Sequence, residues 1–144
     1  MHLAEFNVAR LIEPLDSPRL ADFVAQLAEL NAVADAAPGF IWRMVDGGGA
    51  DATGLRPLDP DVIVNLTLWE SVERLRDFVY RSRHLESLRR RREWFHPSAV
   101  PQTVLWWVPV GHRPTLAEGT ERLAHLREHG TGPDAFTLRD TVPA

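Results

Sequence analysis

The sequence predicts an α+β fold: a ferredoxin-like, split β-α-β arrangement with an antiparallel sheet and an extra C-terminal helix. Three observations predict it. Apolar side chains alternate with period two over 2–12, 61–69 and 104–110, the signature of strands. Stripes with spacings of three and four lie between them and after the last one, the signature of helices that bury one side. Proline and glycine clusters separate these stretches, so the order reads β-α-β-β-α-β followed by one helix.

Taken in order, residues 2–12 place Ala4, Phe6, Val8 and Ile12 on one face and Leu3, Glu5, Asn7 and Ala9 on the other. Ser17 suits an N-cap and Pro18 the first helical position. Leu20, Phe23, Val24, Leu27, Leu30 and Ala34 then form an inward stripe, which Pro38-Gly39 ends. Phe40 to Val45 reads as a second strand. The stretch from Asp46 to Asp61, with Gly47-Gly48-Gly49 and two prolines, reads as a long, mobile connection that borders a pocket mouth. Asp61 to Trp69 is a third strand, with Ile63, Asn65, Thr67 and Trp69 on its mixed face. Ser71 caps a helix with Leu75, Phe78 and Val79 inward, and Ser82 restarts it after a bend. Leu88, Arg92 and Phe95 share the inward stripe of that second piece. Val104 to Val110 is the fourth strand, Thr115 to His129 the last helix, and Ala135 to Arg139 a short closing strand. Such helices are expected to cover the apolar face alone, leaving the mixed face to meet a partner.

The chain of 144 residues is the size of one domain, 1–144, and long enough to fold without disulfides or a structural metal. It has no cysteine, which excludes thiol catalysis and cysteine zinc sites and suits the cytoplasm. All 16 basic residues are arginine, so a lysine Schiff base is impossible. A net charge of −4 argues against nucleic acid, and no apolar run reaches the ~20 residues of a membrane span. No signal peptide is read at the N-terminus. Phosphate loops, nucleophile elbows and dinucleotide fingerprints have no match.

Three stretches carry a resemblance: LTLWESVERLRDFVYRSRHLESLRRRREWF, VLWWVPVGHRPTLAEGTERL and GPDAFTLRD. With them the chain resembles, over nearly its whole length, the uncharacterised family numbered 3291 among domains of unknown function. LWES followed by a helix, an Arg-Ser pair and a histidine also resembles the dimeric α+β barrel group, which contains antibiotic-biosynthesis and heme-degrading monooxygenases. The resemblance implies a homodimer whose sheets face each other and a small-molecule pocket, without implying a reaction. In the heme-degrading branch an asparagine on the first strand, a tryptophan closing the third and a histidine on the next helix do the work. The matching positions are Asn7, Trp69 and His84, although the gap from Trp69 to His84 is longer than that pattern by about one helical turn.

The candidate catalytic residues are Glu5, Asn7, Trp69 and His84, and the candidate substrate-binding residues are Asn65, Thr67, Arg43 and Arg92. Glu5 is either a desolvated general base or one half of a salt bridge, with Arg43 as partner. Asn7 and Trp69 are either site groups or backbone and interface contacts. His84 is either a ligand or a helix-face histidine. The arginines from Arg81 to Arg92 either clamp a carboxylate or phosphate or form a solvated face. His125 and His129 have a metal-ligand spacing but no acidic third ligand, so no metal site is assigned. Heme is the one cofactor with any argument, and no cofactor is the simpler expectation. The leading reading is a monooxygenase-like or cyclase-like enzyme acting on a hydrophobic, aromatic small molecule by oxygenation or acid-base rearrangement. The alternative is a non-catalytic ligand-binding or interaction dimer.

Overall fold

Strand β1 (His2–Arg10) lies at the centre of the sheet, apolar on one face and mixed on the other, with partners along both edges. It runs antiparallel to β3 (Val62–Trp69), from Leu3 opposite Trp69 to Arg10 opposite Val62. On the other side it runs antiparallel to β4 (Thr103–Val108), from His2 opposite Val108 to Asn7 opposite Thr103. The short β2 (Phe40–Arg43) pairs with the outer edge of β3, with an irregularity between Phe40 and Trp42. The order is β2-β3-β1-β4, an antiparallel α+β sheet of the ferredoxin-like type expected. These coordinates are a computed structural model, which describes residues 1–47, 51–82 and 84–144. Gly48 and Gly49 of the predicted connection, Ala50 beside them and Arg83 of the basic segment lie outside the described residues.

Helix α1 (Ala21–Ala36) follows a 3-10 turn at Pro18–Leu20. Ser17 does not cap it with its side chain, and the Ser17 hydroxyl is enclosed without a partner. Leu20, Phe23 and Ala34 are buried, but Val24 of the predicted stripe is exposed. Helix α2 (Val72–Arg81) starts where Ser71 accepts a hydrogen bond from the Arg74 N–H at 3.2 Å. The short α3 (His84–Arg89) and a 3-10 turn at Arg91–Glu93 follow. Helix α4 (Leu116–His129) opens on a capping box between Thr115 and Glu118. No helix among the described residues is long and apolar enough to cross a membrane.

Helices cover both sheet faces, which corrects the expectation of one open face. On the apolar face Leu123 and Leu126 of α4 join Ala4, Phe6, Val8, Val64, Leu66 and Trp106 in one core. On the mixed face α2 and the C-terminal tail bury Leu3, Trp69, Leu75, Leu105 and Phe136. The N-terminal part of α1 packs with Leu11, Leu20, Phe23 and Trp94 at the opposite end of that face. The physical reason is that both faces carry buried apolar side chains, and the extra C-terminal helix α4 packs on the apolar face while α1 and α2 take the mixed one.

Three further expectations are corrected. The closing strand at 135–139 is reduced to isolated bridges, Phe136 against Leu105 with both backbone bonds at 2.8–2.9 Å and Ala135 back against Gly132 across the turn at Pro133 and Asp134. Arg92 is exposed rather than inward. The 3-10 turn has three residues per turn, so it rotates Arg92 off the stripe that 3.6 would give. The connection after β2 leans toward α4, with Ala52 buried and Leu55 packed on the apolar-face core, not toward the mixed face.

Candidate functional site

Period two and the pairing register assemble the mixed face row by row. Leu3 stands opposite Trp69 and Trp107, Glu5 opposite Thr67 and Leu105, and Asn7 opposite Asn65 and Thr103. The first row belongs to the apolar cluster under α2, and Leu11 with Ile63 belongs to the cluster under α1. The polar rows of Glu5 and Asn7 therefore lie between two separate apolar clusters. Glu5, Asn7 and Asn65 are half-buried there.

A hydrogen-bonded chain runs across this gap. The Trp69 indole N–H donates to the Thr67 hydroxyl at 2.9 Å. Thr67 in turn donates to one Glu5 oxygen at 2.8 Å, and the Asn7 amide donates to the other. The carboxylate is thus held by two neutral donors rather than by a cation. Among the described residues Thr67 is the one buried polar residue of the core, and the chain of donors satisfies it. Asn65, across from Asn7, has no side-chain hydrogen-bond partner among the described residues. Arg43 lies opposite Thr67 on β2, but its guanidinium pairs with Asp35 of α1 at 2.8 Å, which replaces the expected pairing with Glu5.

An aromatic line brings in His84. Phe40 meets Trp69 edge-on at 5.4 Å, Trp69 meets Phe78 at 5.1 Å, and Phe78 meets the His84 ring at 5.0 Å. Ser82 makes this possible. Its hydroxyl donates to the Phe78 carbonyl and accepts from the His84 N–H, ending α2 and starting α3 so that His84 turns inward. The His84 Nδ1 is enclosed and without a hydrogen-bond partner. Burial pushes the imidazole below its ordinary range, and the Glu5 charge and the Val79 backbone oppose this only in part.

Of the candidates, the sheet brings together Glu5, Asn7, Asn65, Thr67 and Trp69, and α3 adds His84. Arg43 is tied to α1 and Arg92 faces away. Trp69 is a wall inside one chain rather than between two. Sequence reasoning placed Phe78 inward but missed its position between Trp69 and His84; the stripe Leu75, Phe78, Val79 was the available signal. Neither of two surface clefts borders the group from Glu5 to His84. One lies between Leu58 and α4, about 400 Å³, and the other beside Arg89, Arg91 and Arg92. Among the described residues no three His, Cys, Asp or Glu side chains gather as metal ligands.

The residues present do not fit a heme. The His84 ring is enclosed and packed on Phe78, and the Asn7 amide is engaged by Glu5.

The fold defines an α+β domain with a half-buried polar cluster on the sheet face that α1 and α2 pack against. The chain belongs to the family described as "Domain of unknown function (DUF3291)", whose model matches residues 2–144. Two solved structures share the fold. One is SnoaB, a cofactor-independent oxygenase from Streptomyces nogalater, with a TM-score of 0.53 and 19% identity over 80% of this chain and 96% of that one. The other is NE2512, a protein of unknown function from Nitrosomonas europaea, with a TM-score of 0.52 and 14% identity over 79% and 95%. No protein of curated function matches the sequence.

Proposed function

We propose that the chain is a small-molecule enzyme whose chemistry takes place in the gap between the two apolar clusters on the mixed face. One observation carries this reading: a half-buried carboxylate, held by neutral donors alone, beside a neutral imidazole with an unpartnered nitrogen. A core built only for stability gains nothing from leaving such groups together. Glu5 accepts a proton from the substrate, and Asn7 and Thr67 position it. The free Asn65 amide stabilises the oxyanion that the proton loss creates, and Trp69 with Phe78 forms an apolar wall for an aromatic substrate. The shared fold with a cofactor-independent oxygenase supports oxygenation as the reaction class, and a proton-accepting carboxylate beside an amide donor suits an acid-base rearrangement equally. Self-association into a homodimer belongs to the same proposal and rests on the fold alone, since the mixed face is covered within one chain. Light scattering at the single-chain mass would remove it.

The test is a panel of hydroxylated aromatic ketones and phenols, followed by absorbance and oxygen uptake. Glu5→Gln should lower the rate roughly 10²–10⁴-fold while melting stays intact. A second reading, a non-catalytic ligand-binding domain, is favoured by the satisfaction of both Glu5 oxygens within the chain. Saturable binding of a panel member with no turnover, unaltered in Glu5→Gln, would replace the enzyme reading by that one.

A further inference from the structure

The arginines from Arg89 to Arg92 divide sharply. Arg90 alone turns inward: it bonds Glu93 at 2.8 Å and Asp22 of α1 at 2.8 Å, and its guanidinium lies 4.8 Å from the Trp94 ring centre. This clamp fixes the 3-10 turn to α1. Arg89, Arg91 and Arg92 have no acidic or hydrogen-bonding side-chain partner among the described residues. Most other arginines are tied: Arg10 to Asp59 and Asp61, Arg43 to Asp35, Arg76 to the Leu138 carbonyl, Arg127 to the Pro101 carbonyl. In a chain with net charge −4, three unpaired cations in one place are not explained by an excess of base. They line, with Leu88, a cleft of about 310 Å³.

We propose that Arg89, Arg91 and Arg92 form a binding site for the phosphate group of a small phosphorylated molecule. The guanidinium fork binds oxyanions two donors at a time. A carboxylate offers two oxygens and one charge, too few for three forks. A phosphate monoester offers three oxygens and a charge of about −1.5 to −2. Leu88 supplies an apolar wall for the organic part. The cleft sits at the opposite end of α3 from His84, about 7–8 Å along the helix by its rise, and the proposal does not rest on the Glu5 reading.

The experiment titrates phenyl phosphate into the full chain and follows the arginine side-chain N–H signals by NMR. Saturable shifts are expected, at least tenfold weaker in the Arg89→Gln/Arg91→Gln/Arg92→Gln variant. Each single Gln variant should weaken binding severalfold, which keeps the test readable if the triple variant is unstable. Arg74→Gln/Arg139→Gln, which removes two other exposed arginines, should bind as the parent does. No saturable shift, or equal affinity in the triple variant, overturns the site. Binding to phosphatidylserine vesicles that phenyl phosphate does not compete away would overturn it in favour of a membrane surface.

Discussion

Gly119 of α4 lies directly against Phe6 of β1: a Cβ built on Gly119 would come within 2.6 Å of the Phe6 ring. This contact is what lets the fourth helix seat on the apolar face. Gly119→Ala gains about 0.5–1 kcal/mol of helix propensity. It also overpacks against a ring that is fully buried, at a cost of about 1–3 kcal/mol. The net expectation is a loss, read as a melting temperature lower by a few degrees. Phe6→Leu in the same chain should recover part of it. A melting temperature at or above that of the parent would show that the interface has slack.

Thr67 joins the Trp69 indole to Glu5, and Val has nearly its shape. Thr67→Val leaves a buried indole N–H and a carboxylate oxygen each short of a partner. The expected cost is about 1–3 kcal/mol, measured by urea unfolding. An unchanged midpoint would mean that water reaches both groups, and that the cluster is more open than its geometry implies.

His84 makes stability depend on pH with a definite sign. Its folded pKa lies below the ordinary imidazole value of about 6.5 because burial disfavours the cation. The unfolded chain therefore takes up the proton first as pH falls. The contribution is fully present above about 6.5 and is lost as pH drops from there to the lower folded value. The parent should lose more stability than His84→Phe between pH 7.5 and pH 5. Parallel curves for the two proteins would place His84 in solvent.

Thr115 and Glu118 close the N-terminus of α4 reciprocally, Thr115 accepting from the Glu118 N–H at 3.1 Å. Thr115→Ala should cost about 1 kcal/mol. For a domain of this size that is a fall of roughly 2–4 °C in melting temperature. Because α4 covers the apolar face, the loss should appear as global unfolding rather than local fraying. Hydrogen exchange in β1 separates the two.

Strand alternation by itself determined that Glu5 and Asn7 share a face, and likewise Asn65, Thr67 and Trp69, because a period of two permits no other arrangement. It also determined the β-α-β-β-α-β order and hence the neighbouring of β1 and β3, which merges the two sets. The Ser71 cap and the break at Ser82 were legible for the same local reason: short hydroxyl side chains compete for backbone groups at helix ends. Only the tertiary structure decided which face the helices cover. Both faces of β1 and β3 carry buried apolar residues, so local pattern is degenerate, and the choice depends on α4 fitting Gly119 over Phe6 across more than a hundred residues. It decided equally that Arg92 faces solvent, since a 3-10 turn replaces the helical period there, and that Arg43 takes Asp35 rather than Glu5. Spacing along a chain reports direction from a local axis. Which neighbour waits in that direction is set by long-range packing.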